Sequence, residues 1–142
     1  MGLLILSKRL LKPEEIIGSI AVISLKKGLK FHLEERDKTV KNYIDLYLAK
    51  RYDQNEDEQY FYLGLENDQI EITHKNQLFY RLGITDQADY DRLMYDFSLE
   101  YLRLNPDHCI SFYGETFFFL EDLEKIDADR GYFEDWCFTS LS

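Results

Sequence analysis

Proline and glycine are scarce in this chain, at 2 and 7 of 142 residues, which leaves little of the usual chemistry for tight turns and points to substantial helix. Cysteine is scarcer than a disulfide-stapled secreted domain needs: Cys109 and Cys137 are the pair present, so a reducing compartment is the expectation. Long hydrophobic runs are missing too. The most apolar stretch, Ile16 to Leu25, is too short to cross a bilayer. The apolar N-terminal segment precedes its first bases, Lys8 and Arg9, which is the reverse of the order in a signal peptide. Together these absences predict a cytoplasmic protein without a membrane span.

Signatures of catalysis are also lacking. There is no glycine-rich phosphate loop and no G-x-S-x-G turn. His32, His74 and His108 are far apart, and none stands at a zinc-ligand spacing from another histidine or from a cysteine. His108 and Cys109 are adjacent, so in a strand they point to opposite faces, whereas a Cys–His nucleophile needs the two side chains in contact. The run Asp127-Ala128-Asp129-Arg130-Gly131 begins like a calcium loop, but Tyr132 and Phe138 fall where that loop needs glycine and glutamate. Basic residues do not interleave with aromatics, and Lys26, Lys27 and Lys30 read as a helix end rather than a nucleic-acid site. The expectation is a protein with no catalytic residue, no metal and no cofactor.

What the chain has is aromatic bulk and acid. Hydrophobic residues make up 45%, with 11 Tyr and 10 Phe, enough to build one core in a single domain spanning 1–142 without disulfide or metal. The net charge of −10 is unevenly spread. Residues 1–50 carry 10 Lys and Arg against 6 Asp and Glu, while residues 51–142 carry 7 against 21. Such a field repels nucleic acid and anionic membrane and speeds encounter with basic partners, although solubility alone also accounts for it.

Periodicity gives the elements. Lys12-Pro13-Glu14-Glu15 opens a helix, Ile16, Ile17, Ile20 and Ile23 continue it, and Gly28 stops it. Val22 and Leu25 make its other face apolar as well, which predicts a helix buried all round. A short strand follows over Leu29 to Leu33. A second helix is expected from an Asp37 cap, with Val40, Tyr43, Ile44, Tyr47, Leu48 and Tyr52 on one face. Tyr60 to Leu65 and Gln69 to Thr73 read as strands. A third helix is expected from Asp86 or Gln87 to Leu104, ended by Asn105-Pro106. Cys109 to Leu120 leaves two readings open. One is a pair of strands around Gly114-Glu115, and the other is a helix capped by Thr116. A short terminal helix is expected within Asp129 to Leu141. The fold class that results is mainly α, or α+β: a small helical bundle around an aromatic core with a minor sheet or hairpin.

Part of this order has a counterpart. Thr39-Val40 to Arg51, then Ile72-Thr73-His74-Lys75-Asn76-Gln77-Leu78-Phe79, Leu82-Gly83-Ile84, and a helix with Leu93-Met94, Phe97 and Glu100-Tyr101 resemble an acyl-carrier-protein-like family of bacterial proteins of unknown function. The resemblance covers roughly residues 38–101. It implies a carrier-like helical segment over about 38–104, with the terminal segments packed on it. A working carrier holds a serine for phosphopantetheine at the start of its second helix. Here the run is Thr85-Asp86-Gln87-Ala88-Asp89-Tyr90, so the resemblance implies a scaffold without the carrier chemistry.

One constellation suggests recognition. Glu121, Asp122, Glu124, Asp127, Asp129, Glu134 and Asp135 surround Tyr132, Phe133, Trp136 and Phe138, and aromatic anchors in an acidic rim suit a basic protein surface. The other reading is that these aromatics close the core. Asp86, Asp89 and Tyr90, with Asp91, form a similar candidate. The function expected is therefore a non-catalytic acidic module docking a basic protein partner. Two alternatives stand beside it: an immunity or antitoxin protein that neutralises a basic toxin or nuclease, if necessary by mimicking nucleic acid, and a subunit of an enzyme complex with a small-molecule site.

Overall fold

A computed structural model describes residues 2–34, 44–66, 70–87, 91–112 and 114–138, the side chain of Phe138 excepted. In chain order its elements are β1 (Leu3–Ser7), α1 (Pro13–Lys27), β2 (Lys30–Glu34), β3 (Ile44–Lys50), β4 (Gln59–Leu65), β5 (Glu71–His74), β6 (Gln77–Thr85), α2 (Arg92–Leu104), β7 (Cys109–Phe112), β8 (Thr116–Phe118) and α3 (Leu120–Asp129), followed by a 3₁₀ turn at Trp136–Phe138. The eight strands form one sheet in the order β2-β3-β4-β6-β1-β7-β8, with β5 paired to β6, and all pairings are antiparallel. The fold is thus a sheet carrying three short helices, not the helical bundle with a minor sheet that the sequence led us to expect. The helical, carrier-like scaffold expected over 38–104 is absent with it: β3, β4, β5 and β6 occupy most of that segment.

The physical reason lies in residues 44–50. Ile44, Tyr47 and Leu48 fit a helical period, but Leu46 and Leu48 also alternate with Asp45 and Tyr47. Pairing to β2 and β4 lets Leu46 and Leu48 fill the core while Tyr47 meets other aromatics across the strands. The Asp37 cap expected for that helix lies outside the described residues. The helix over 86–104 also begins later than expected, because Thr85 still belongs to β6. The Asp91 carboxylate caps α2 by accepting the Met94 N–H at 3.1 Å.

Other local signals translate directly. Glu15 reaches back to the Lys12 N–H at 2.8 Å, Pro13 opens α1, and Gly28 closes it in a left-handed conformation with φ 66°. The Cys109 to Leu120 segment is a hairpin, β7 and β8, and α3 then starts at Leu120 with the Asp122 carboxylate accepting the Phe119 N–H at 2.8 Å. The terminal helix expected within Asp129 to Leu141 is reduced to the 3₁₀ turn among the described residues.

All three helices lie on one face of the sheet. Ile16, Ile20 and Ile23 of α1, Leu93, Phe97 and Tyr101 of α2, and Leu123 and Ile126 of α3 pack on Leu3, Ile5, Leu46, Leu48, Phe61, Leu63 and Ile110. α1 is not buried all round: Val22 and Leu25 are 49% and 86% exposed, because the helix has the sheet on one side and water on the other. Glu100 of α2, with only 3% of its side chain exposed, receives Lys26 of α1 at 2.7 Å, which ties the two helices together, and Arg103 of its own helix at 2.9 Å. No helix among the described residues is long and apolar enough to cross a membrane.

Candidate functional site

The opposite face of the sheet carries no described helix, and its side chains fall into two regions. Around β1, β6 and β7 a second apolar cluster holds Leu4, Leu6, Phe79, Cys109 and Phe117. Over β2, β3 and β4 the same face is aromatic and polar. Register explains the composition. Antiparallel partners share a face, so the pairs His32↔Tyr47 and Tyr47↔Tyr62 set three rings in one cross-strand row, and Ala49↔Tyr60 places a fourth beside them. Phe61 and Leu63, which alternate with these tyrosines, point into the core.

The rings touch. His32 stacks on Tyr47 at 4.7 Å between centroids, Tyr47 lies 5.2 Å from Tyr62 and 6.0 Å from Tyr60, and Tyr60 meets Tyr62 edge-on at 6.4 Å. Tyr60 is 46% exposed, a high value for so large an aromatic side chain. Carboxylates rim the strip. Glu34 lies 3.1 Å from His32 Nε2, Glu58 accepts the Tyr47 hydroxyl at 3.3 Å, and Asp86 accepts the Tyr62 N–H at 2.9 Å. Lys30 is held by Glu58 at 2.7 Å, and that contact keeps the Glu58 carboxyl below its ordinary value. Burial, and then the nearby acids, push the Tyr47 and Tyr62 phenols up, so both stay neutral near pH 7. The strip therefore offers negative ring faces, hydroxyls and carboxylates together, a combination that receives a cation on an apolar stem.

The acidic residues singled out in the sequence divide by environment. Glu124 and Asp127 clasp Arg103 at 3.0 and 3.2 Å, and Asp127 also accepts the Tyr95 hydroxyl at 3.0 Å. Asp122 is engaged in starting α3. Glu121 and Asp129 are exposed on α3 without being drawn together. Glu134 and Asp135 are exposed and line a shallow depression of about 520 Å³ with Asp91 and Tyr132. Trp136 is wholly buried against Tyr95, Phe112 and Phe118, which is the core-closing alternative raised for the C-terminal aromatics. Asp86 stands at the margin of the tyrosine strip, while Asp89 and Tyr90 lie outside the described residues. The strip itself was not singled out from the sequence. Its signal was the alternation of Tyr60 and Tyr62 with Phe61 and Leu63, and its completion by Tyr47 and His32 depends on cross-strand register.

The histidine and cysteine side chains form no nucleophile pair among the described residues. His108 Nδ1 lies 3.0 Å from the Tyr101 hydroxyl, and burial lowers the His108 pKa. Cys109 belongs to the second apolar cluster, and burial pushes its thiol up to about 12. No group of three or more His, Cys, Asp or Glu side chains among the described residues is placed to hold a metal ion. No protein-family model matches the chain, and no curated protein or solved structure matches it.

Proposed function

We propose that this chain is a non-catalytic docking module whose tyrosine strip receives the basic surface of another protein. The observation that supports the reading is the conjunction on one open sheet face: contiguous rings of His32, Tyr47, Tyr60 and Tyr62, rimmed by Glu34, Glu58 and Asp86. Aromatic residues supply buried area at low entropic cost, and the carboxylates select lysine and arginine over acids. The net charge of −10 would speed encounter with such a partner and make it sensitive to salt.

The test uses the chain as bait at low and high salt on extracts of its source cells, followed by association kinetics with the retained protein. One bait is unaltered, one carries Glu34→Lys with Tyr60→Ser, and one carries Glu134→Lys with Asp135→Lys. The proposal expects a basic partner retained at low salt, released at high salt, and lost with the first variant but not the second. Loss confined to the second variant would move the docking surface to the C-terminal depression. Retention by all three at equal rates would end the proposal.

A further inference from the structure

The second apolar cluster opens into a small pocket that sits apart from the tyrosine strip. Lys8, His74, Lys75, Gln77, Phe79 and Phe119 line a volume of about 220 Å³. Its walls are aromatic: Phe79 is buried, Phe119 lies 6.2 Å from it, and His74 lies flat on Phe117 with centroids 3.7 Å apart and planes at 17°. Its rim is basic, and no carboxylate stands among the described lining residues. In a chain with 27 acids and 17 bases, Lys8 and Lys75 form no ion pair with any described residue.

The backbone at both lysines is set by local turns. Lys75 and Asn76 form the two-residue β5–β6 turn in left-handed conformation, with φ 49° and 65°. Lys8 follows β1 directly, at a bend where the Ser7 hydroxyl accepts the Arg9 N–H at 3.1 Å. Two exposed lysines thus line a pocket that Phe79, Phe119 and His74 make aromatic, and Gln77 adds an amide to the lining.

We propose that this pocket binds a small aryl anion, a single aromatic ring bearing a carboxylate or a phosphate. The ring is recognised by Phe79, Phe119 and His74, which present flat faces and edges suited to stacked or edge-on contact. The anion is recognised by Lys8 and Lys75. The volume is below that of a pocket for a drug-sized ligand, so one ring with one anionic group fits and a dinucleotide does not. The inference does not rest on the docking proposal.

The experiment is a ¹H–¹⁵N titration of the full chain with benzoate and with phenyl phosphate, set against benzamide (ring without charge) and against acetate and inorganic phosphate (charge without ring). The expected result is saturable shifts centred on His74, Lys75, Gln77 and Phe119, with a dissociation constant on the order of 1 mM or tighter for at least one aryl anion. Whichever of the two binds names the anionic group. Benzamide and the ringless anions should bind at least about fivefold more weakly, and Lys8→Gln with Lys75→Gln should weaken the aryl anion by roughly fivefold per charge, the upper worth of an exposed ion pair. Either of two results would overturn the proposal: no saturable shift up to about 10 mM, or benzamide matching benzoate. Affinity unchanged in the double variant, or shifts centred on the tyrosine strip, would overturn it equally.

Discussion

Replacing Glu100 by glutamine should destabilise the fold by about 2 kcal/mol, a value that follows from where the charges sit. The Glu100 side chain is 3% exposed, whereas those of Lys26 and Arg103 are 59% and 33% exposed. Breaking a pair with both partners buried costs roughly 3–5 kcal/mol, because the charge left behind has no water. Here the partners left behind reach solvent, and Arg103 keeps Glu124 and Asp127. The loss therefore reduces to two charge-assisted hydrogen bonds, partly replaced by the glutamine amide, which gives about 2 kcal/mol. Urea unfolding at pH 7 should show the midpoint about 1 M lower with the slope unchanged. The pH dependence supplies a second check. Burial raises the Glu100 pKa, but the Lys26 and Arg103 hydrogen bonds and the Lys27 charge outweigh it and hold the carboxyl below its ordinary 4.5. Its contribution is then complete above pH 4.5 and is lost as pH falls through the lower folded value, so the two proteins should converge in acid. A difference under about 0.5 kcal/mol at pH 7, the level of a solvent-screened surface pair, would refute the reasoning. So would a difference that persists unchanged in acid.

Four further outcomes follow from buried groups. His108 has its pKa lowered by burial, so the unfolded chain takes up a proton near 6.5 before the folded one does; stability should fall from pH 6.5 towards 5, and His108→Leu should flatten that slope in urea titrations. Trp136 is the single tryptophan and is fully buried, so its emission should be blue-shifted and poorly quenched by acrylamide; exposed-type emission would contradict the packing. Trp136→Phe should cost less than about 2 kcal/mol, because it removes an indole N–H that has no partner among the described residues along with the lost volume, and thermal unfolding would read the difference. Cys109 and Cys137 have their thiols pushed up to about 12 by burial, so a disulfide reagent at pH 8 should label both only as fast as the protein opens.

Sequence and structure agree where a local rule fixes the outcome. Pro13 with two acids and a glycine at 28 bound α1, the aromatic run Tyr60 to Leu65 marks β4, and the strict alternation read over Gln69 to Thr73 overlaps β5, while the hairpin of β7 and β8 is one of the two readings that Cys109 to Leu120 left open. They part where the outcome depends on neighbours distant in sequence. β1 is buried at every position and apolar from Leu3 to Leu6, so it carries no period to read. The β5–β6 turn uses Lys75-Asn76 rather than a glycine-containing pair, which hides a hairpin whose second strand is nine residues long. Residues 44–50 satisfy both periods, and only the strands on either side decide between them. The same dependence governs the candidate surface. Aromatic anchors with an acidic rim were legible as a composition, yet their location was not, because Trp136 is drawn into the core while Tyr47, Tyr60 and Tyr62 are brought together by register.

The central place of β1 also sets an order of events. Leu4 hydrogen-bonds into register with Ile84 on one side and Ser111 on the other, so β1 has no partner until β6 and β7, far along the chain, are made. During synthesis at about 5–20 residues per second, the Leu3 to Leu6 segment would wait several seconds with its apolar side chains unpaired. The sheet cannot be assembled outward from its first hairpin; it must close around a segment held in reserve, and such long-range pairing folds slowly. The newborn chain is thus most exposed to aggregation before β7 emerges, and chaperone demand should peak in that interval rather than after release.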